Sequence, residues 1–192
     1  MRVFFVRHGQ SVANLKKIYA GQSDVPLTEQ GRAEAAAIAP ILARLHFDRV
    51  YSSDLSRAID TQKIALPGVE ADVRSPLIRE YDVGNIVGLP TGTAKTLTPE
   101  GGRDYTPFGG ETTEMVVARL KKFLETYLEN DPCENAVVFT HNGIMIAMMN
   151  LILGNGKKID SKAILSKNCA INVFEYKNGK WSLLAWNYGV EL

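Results

Sequence analysis

The chain is poor in the residues that build metal centres and disulfide frameworks. Its 192 residues include two cysteines and three histidines. Cys133 and Cys169 lack the spacing of metal ligands, and two cysteines do not make a disulfide-rich fold. The histidines lie far apart in the sequence. We therefore expect neither a metal ion nor another cofactor.

An excess of one charge is also lacking. The 22 lysines and arginines nearly balance the 21 aspartates and glutamates, which leaves a net charge of +1. No global field therefore points to a nucleic acid or a membrane surface as a partner. Any attraction for an anionic substrate must come from arginines and lysines that are placed locally.

Long apolar runs and nucleotide-binding motifs are missing as well. The longest apolar stretch, Ile144–Leu153, is about half of the ~20 residues that a bilayer span needs. The run Val3–Val6 is too short for the apolar region of a signal peptide. Neither G-x-G-x-x-G nor G-K-[ST] follows a strand pattern, which discourages dinucleotide-binding and P-loop folds. A cytoplasmic protein is expected.

Strand and helix patterns alternate along the chain. Short β-branched or aromatic runs predict strands, and apolar residues at helical spacing predict helices. Thr28 predicts the N-cap of a long helix, which Pro40 is expected to kink or divide near Ala39. The other predicted elements are strands Val3–Val6, Arg49–Ser52, Ala71–Arg74 and Ala136–Thr140, helices Leu55–Leu66, Thr112 to Asn130 and Asn142–Leu153 (ended by Gly154), and a hairpin of Cys169–Tyr176 and Trp181–Asn187.

This alternation predicts an α/β fold of three layers, with a mainly parallel sheet, helices on both faces and a C-terminal antiparallel hairpin. The length fits one domain over residues 1–192. The outer strand of the hairpin offers an edge for a homodimer.

One glycine-rich stretch, Gly84–Gly110, fits neither pattern. It holds seven glycines and three prolines with little periodicity. Such a loop in a compact domain is usually a lid, a binding loop or a disordered segment. Its aromatic residues, such as Tyr105, favour a loop that packs over something.

Two histidines and an arginine follow predicted strands. Arg7 and His8 come directly after the first strand, and His141 directly after the fourth. The carboxyl ends of strands are where open α/β sheets bind ligands. Arginine offers a planar fork of donors for phosphate, and histidine can be a nucleophile or a proton carrier near neutral pH. The alternative for each histidine, taken alone, is a satisfied core residue.

A second arginine and a carboxylate are expected at the same edge. Arg57 falls in the first turn of the helix after the second strand, and Glu80 is placed at the end of a further strand. If the strands are parallel, both converge with the three residues above. Taken alone, Arg57 is an ordinary surface helix residue, and Glu80 is an ion-pair partner of Arg79 or Arg74.

Together these segments resemble the histidine phosphatase superfamily, also called phosphoglycerate mutase-like. They run over most of the chain in order. One block departs from the family pattern, because the chain reads Gly-Asn-Ile-Val-Gly at 84–88 where many phosphatase members have Gly-x-Trp-Glu-Gly. The blocks that carry the resemblance are Arg7–Gly9, Asn14, Gly21–Thr28 with Gly31, Tyr51–Thr61, Leu77–Gly84, Gly110–Thr112 and Val138–Gly143.

The resemblance implies a role for each candidate. His8 is implied as the nucleophile that forms a phosphohistidine, with the proton of its other ring nitrogen held by an acceptor, which we expect to be a backbone carbonyl. Arg7, Arg57 and His141 are implied as a phosphate clamp. Glu80 is implied as the group that protonates the leaving oxygen and then activates water.

Further residues are implied in the substrate pocket. Asn14, Gly21 and Gln22 are expected to line it, with Glu111 at its rim. Asn142 departs from the family pattern, because relatives often carry a small residue there, and it is expected to reach the substrate. The substrate is expected to be a small phosphorylated compound.

The same resemblance leaves the reaction open between two enzymes and a binding protein. Mutases of this superfamily carry a longer insertion between the glutamate and the second histidine, which closes over the site. The shorter connection here favours a metal-independent phosphomonoesterase. A cofactor-dependent phosphoglycerate mutase is the alternative, and a non-catalytic phosphate-binding or regulatory protein is the alternative of another class.

Overall fold

Six strands form one mixed sheet in the computed structural model, which describes residues 1–94, 103–153 and 164–189. Their order across the sheet is β3-β2-β4-β1-β5-β6. The first four of these pair in parallel, and β5 and β6 pair antiparallel at one end. The strands are β1 (Arg2–Arg7), β2 (Arg49–Ser53), β3 (Val73–Ser75), β4 (Asn135–Thr140), β5 (Ile171–Lys177) and β6 (Lys180–Tyr188).

Helices cover both faces of this sheet. Side-chain oxygens of Ser11, Thr28 and Thr112 accept backbone N–H groups at the starts of three of them, as N-caps do. In the described part of the chain the α-helices are α1 (Val12–Lys16), α2 (Glu29–Leu42), α3 (Ser56–Ala65), α4 (Thr113–Tyr127) and α5 (Asn142–Leu153), and short 3₁₀ turns occupy Pro76–Ile78, Gly84–Ile86 and Thr106–Phe108.

The side chains of β1 show how the two layers form. Val3 and Phe5 pack into the cluster that contains the apolar faces of α4 and α5. Phe4 and Val6 point the other way, into the cluster that contains those of α2 and α3. A strand alternates its side chains between the two faces of a sheet, so a four-residue apolar run serves both cores. The predicted three-layer fold and closing hairpin are confirmed.

The sheet register sets the positions of the two histidines. Arg7 lies opposite Thr140 in the parallel β1–β4 pair. His8 and His141 therefore leave two neighbouring strands at the same level, and the His8 amide donates to the Thr140 carbonyl at 2.9 Å.

The helix that contains Pro40 runs unbroken over Glu29–Leu42, so the predicted division near Ala39 is wrong. Pro40 removes one amide near the helix end, and the next bonds still form, such as that from Ala43 N to Ala39 O at 2.9 Å. The alternative, a kink at Pro40, stays a prediction. Glu80 does not end a strand, because β3 stops at Ser75 and a 3₁₀ turn follows. The predicted helix stop at Gly154 lies outside the described residues. Among the helices that are described, none has the length and apolarity to cross a membrane.

Candidate active site

A cavity of about 430 Å³ opens at the carboxyl ends of β1 and β4. It combines charged groups from the sheet edge with aromatic side chains from the loops. The described residues that line it are Arg7, His8, Ser11, Asn14, Ile18, Tyr19, Ala20, Gly21, Arg57, Glu80, Tyr81, Val83, Thr91, Gly92, Ala94, Arg103, Tyr105, Asn142 and Leu165.

His8 is buried and lines this cavity. Its Nδ1 lies 2.7 Å from the carbonyl oxygen of Gly9. A carbonyl can only accept, so Nδ1 carries the proton and Nε2 keeps its lone pair. The backbone carbonyl expected from the sequence is therefore present. Burial, followed by the charges of Arg57 and Arg7, lowers the pKa of His8 well below 6.5, which keeps the ring neutral.

Arg57 enters the cavity from the first turn of α3. Its side chain is 1% exposed, and its guanidinium donates to the carbonyls of Ser23 and Gly21, each at 2.9 Å. Gly21 has a φ of +52°, and a Cβ there would come 2.7 Å from Val83 Cγ2. Glycine is thus required for the turn that holds this arginine.

Arg7 is the second guanidinium beside His8. It donates to the carbonyl of Ser166, while its buried Nε has no hydrogen-bond partner among the described residues. Burial lowers the pKa of both Arg7 and Arg57, and the nearby Glu80 carboxylate opposes that effect in each. An unpartnered donor beside a neutral imidazole is suited to an anionic oxygen.

His141 is fully buried next to His8, with their ring centroids 5.1 Å apart, and it is not among the residues that line the cavity. Its Nε2 lies 2.8 Å from Ser53 Oγ, which also accepts the Leu55 amide. A serine hydroxyl can donate one hydrogen bond and accept two, so Ser53 serves either tautomer of His141. In the described part of the chain Nδ1 has no partner. Burial, followed by Arg57, lowers the pKa of His141 well below 6.5.

Glu80 faces the arginines from a loop and not from a strand. Its Oε1 accepts the Tyr81 amide at 2.9 Å, and its Oε2 accepts the Gly143 amide at 3.1 Å. A Cβ on Gly143 would overlap Glu80 Oε1 and come 2.5 Å from the Tyr81 ring. The glycine after Asn142 thus lets the start of α5 approach the carboxylate closely.

Arg119 holds the backbone that presents Glu80, and sequence reasoning missed it. Its guanidinium donates to the carbonyls of Leu77 (2.8 Å), Arg79 (2.7 Å) and Glu80 (3.0 Å). The same group binds both carboxylate oxygens of Glu111, at 2.9 and 3.1 Å. Glu111 also accepts the Asp82 amide at 2.8 Å, so it supports the glutamate loop and is not among the residues that line the cavity. No sequence motif marked Arg119.

The other predicted pocket residues separate into two groups. Asn14 and Asn142 line the cavity; the side-chain Oδ1 of Asn142 accepts a hydrogen bond from the Ser166 amide at 3.2 Å. Gln22 is not among the lining residues, and its amide donates to the Glu80 carbonyl at 3.2 Å. It therefore contacts the main chain of the glutamate loop and does not face the cavity.

Aromatic side chains form the outer wall. The Tyr81–Tyr105 and Tyr19–Tyr105 ring centroids are 5.7 and 6.0 Å apart in edge-to-face contacts. Burial raises the pKa of Tyr81 to about 12, so its hydroxyl stays protonated and donates to Thr113 Oγ1 at 3.0 Å. Tyr105 belongs to the glycine-rich loop, of which the described parts pack over the cavity as expected.

No group of three or more His, Cys, Asp or Glu side chains suited to a metal ion occurs within residues 1–94, 103–153 and 164–189. The charges available to a phosphate are those of the arginines.

The fold and the site together define a phosphate-handling α/β protein with a neutral, oriented histidine. A family model described as the histidine phosphatase superfamily (branch 1) matches residues 3–189. The chain belongs to this family, which confirms the resemblance seen in the sequence.

Curated relatives include both phosphatases and a mutase. The chain is 39% identical over 133 residues to fructose-2,6-bisphosphatase TIGAR B of Danio rerio, a match that spans 65% of this chain and 52%, about half, of that protein. It is 29% identical over 195 residues to the probable phosphoglycerate mutase GpmB of Cronobacter sakazakii, covering 97% of this chain and 90% of that protein.

A solved relative agrees over nearly the whole length. The structure of a mycobacterial glucosyl-3-phosphoglycerate phosphatase complexed with VO3 matches with a TM-score of 0.80 and 27% identity, and the match covers 97% of this chain and 98% of that one. Phosphomonoester hydrolysis is consistent with these findings, and the mutase reaction also occurs among the relatives.

Proposed function

We propose that the protein hydrolyses a small phosphomonoester through a phosphohistidine on His8. The observation that carries this proposal is the state of His8: its proton is held on Nδ1 by Gly9, and its Nε2 has no hydrogen-bond partner among the described residues and lies in the same cavity as Arg7 and Arg57. Glu80 lines the same cavity. A nucleophile, two cations and a proton carrier are the groups that phosphoryl transfer needs.

In the first step, Nε2 of His8 attacks phosphorus and the bond from phosphorus to the leaving oxygen breaks. The Glu80 carboxyl gives its proton to that oxygen, so an alcohol leaves and a carboxylate stays. The guanidinium groups of Arg7 and Arg57 offset the charge on the equatorial oxygens. His141 adds a donor when its Nδ1, which has no partner among the described residues, carries the ring proton. The arginine donors are already oriented by protein contacts, which lowers the reorganisation cost.

In the second step, the Glu80 carboxylate takes a proton from water as the oxygen attacks the phosphohistidine. The bond from phosphorus to Nε2 breaks, phosphate leaves, and His8 returns to its neutral form. The Glu80 carboxyl is again protonated, so protons and charges balance over the cycle.

A phosphoglycerate mutase is the second candidate, favoured by the similarity to the GpmB protein along most of its length. In that reaction the phosphohistidine returns its phosphoryl group to a second hydroxyl. Candidate substrates for either reaction include the sugar phosphates and phosphoglycerates in the names of the relatives.

The test is a side-by-side assay of free phosphate and of 2-phosphoglycerate formed from 3-phosphoglycerate, with 2,3-bisphosphoglycerate supplied. A panel of other phosphomonoesters, including p-nitrophenyl phosphate, is assayed in parallel. Phosphate release that exceeds isomerisation supports hydrolysis. If isomerisation is severalfold faster than phosphate release, the protein is a mutase and the proposed hydrolysis is wrong. The control is His8→Asn, which removes the proposed nucleophile.

Two further expectations stay predictions. One is a cytoplasmic location. The other is a homodimer, for which the position of β6 at the end of the sheet offers an unpaired edge.

A further inference from the structure

The cavity holds more positive charge than one phosphoryl group uses. Among the described lining residues three are arginines, Arg7, Arg57 and Arg103, and Glu80 is the one carboxylate. The first two lie beside His8, as described above. Arg103 comes from the glycine-rich loop, and the proposed reaction gives it no role.

Arg103 is positioned against an aromatic ring. Its guanidinium carbon is 5.5 Å from the centroid of the Tyr81 ring, within the range of a cation–π contact. No carboxylate in the described part of the chain lies within ion-pair distance of it. The ring face orients the guanidinium while leaving its N–H donors available to an anion.

The charge of Arg103 also acts within the cavity. It is one of the charges that lower the pKa of Arg7, after burial. Two guanidinium groups that repel each other in one cavity both gain when an anionic group binds between or beside them.

We propose that Arg103 binds a second anionic group of the substrate, a carboxylate or a second phosphate, and so selects compact phosphomonoesters that carry two anionic groups. This inference rests on the proposed function. A cavity of about 430 Å³ is at the small end of ligand sites, and it suits a three-carbon acid or a single sugar. The body of such a substrate would lie against Tyr19 and Tyr81 between the two anion sites.

The experiment compares a pair of substrates that differ in one anionic group. Glycerol 3-phosphate and 3-phosphoglycerate each release a three-carbon alcohol, and the latter adds a carboxylate. Each is assayed for kcat/KM and also as a competitor of p-nitrophenyl phosphate hydrolysis, so that relative binding is obtained even where turnover is slow. Fructose 6-phosphate and fructose 1,6-bisphosphate form a second pair, in which the added group is a phosphate.

The variants are Arg103→Gln and Arg103→Lys, with Arg74→Gln as the matched control, because Arg74 pairs with Glu70 on the surface. The preference of the wild type for the doubly anionic member of at least one pair should fall about 10- to 100-fold in Arg103→Gln, as expected for losing a hydrogen bond between charged groups. In Arg103→Lys this preference should fall less, and in Arg74→Gln it should equal that of the wild type.

The second anion site is overturned if, for both pairs, the preference for the doubly anionic substrate is the same in Arg103→Gln as in the wild type. Failure of the proposed function would look different, because the wild type would then release no phosphate from p-nitrophenyl phosphate or any other phosphomonoester.

Discussion

Arg119 donates a hydrogen bond to the main-chain carbonyl of Glu80 at 3.0 Å, and the same guanidinium is paired with Glu111. The proton donor proposed here is thus fixed by its backbone through a residue that does not line the cavity. This relationship predicts that Arg119 is a positioning residue for proton transfer.

Replacing Arg119 with lysine should therefore reproduce the kinetic signature of losing Glu80. Lysine cannot span three carbonyls and a carboxylate with one compact ammonium, so the Glu80 loop should shift. Glu80→Gln should slow hydrolysis of alkyl phosphates about 10²- to 10⁴-fold, and p-nitrophenyl phosphate much less, because that leaving group needs no proton. Arg119→Lys should show the same dependence on the leaving group, with a smaller decrease in the rate of hydrolysis than Glu80→Gln.

Arg49→Lys is the matched control. Arg49 forms an ion pair with Asp131, with a distance of 2.9 Å between Nε and Oδ2, and neither residue lines the cavity. Equal slowing of alkyl and aryl substrates by Arg119→Lys would mean that Arg119 supports the fold as a whole and not the proton donor.

A methyl group at position 143 should also displace Glu80. Alanine in place of glycine ordinarily stabilises a helix by about 1 kcal/mol. At Gly143, however, the added Cβ would overlap the Glu80 carboxylate and crowd the Tyr81 ring. We expect Gly143→Ala to lower kcat for alkyl phosphates, and a thermal melt to show no gain in stability. A more stable and fully active variant would show that the carboxylate does not need this close approach.

Stability should fall as the pH decreases below 6.5. The pKa values of His8 and His141 are both lowered well below that value in the folded protein, mainly by burial. Between the folded and unfolded pKa values, the unfolded chain binds more protons than the folded chain, so the free energy of unfolding rises with pH in that window. Each histidine contributes up to about 1.4 kcal/mol per pH unit.

Denaturant titrations from pH 5.5 to 8 measure this slope, with His141→Gln compared to the wild type. The free energy of unfolding of the variant is subtracted from that of the wild type at each pH. This difference isolates the contribution of His141, because the carboxylates titrate in both proteins. The difference should be nearly constant above pH 7 and should change by about 1.4 kcal/mol per unit below 6.5. A difference that is independent of pH would contradict a neutral, buried His141.

Hydrolysis should persist after metal removal. Arg7 and Arg57 place two positive charges in the cavity beside His8, where many phosphatases use a divalent ion. Dialysis against a chelator should leave kcat/KM within about twofold of the untreated enzyme. Vanadate should inhibit competitively, because it can adopt the trigonal-bipyramidal geometry of the transition state. Loss of activity that is restored by a divalent cation would require a different account of the site.

The sequence predicts those parts of the site that follow directly from strand ends. Arg7, His8 and His141 lie at the ends of β1 and β4, whose continuous apolar runs identify them as buried strands. The position of Glu80 could not be predicted in the same way, because it depends on a loop held by tertiary hydrogen bonds from Arg119. The effect of Pro40 could not be predicted from the sequence either. A helix tolerates a proline when the hydrogen bonds that follow it still form, as that from Ala43 N to Ala39 O does.

The outer wall of the cavity was the least predictable part. Tyr19 and Tyr81 lie far apart along the chain and meet through Tyr105, which belongs to a stretch without periodicity. Gln22 was expected in the pocket because of the family resemblance of its block, yet its side-chain amide donates to the Glu80 carbonyl. Side-chain direction in a loop is set by such contacts and leaves no pattern in the sequence.

The central claim is that His8 carries the phosphoryl group, and trapping that intermediate tests it most directly. The enzyme is mixed with a ³²P-labelled substrate that supports turnover, quenched within the first turnover in base or in acid, and digested for peptide mapping. The account predicts a label on the peptide that contains His8, stable in base and labile in acid, and no label in His8→Asn. Turnover with no trapped label, or full activity in His8→Asn, would contradict it.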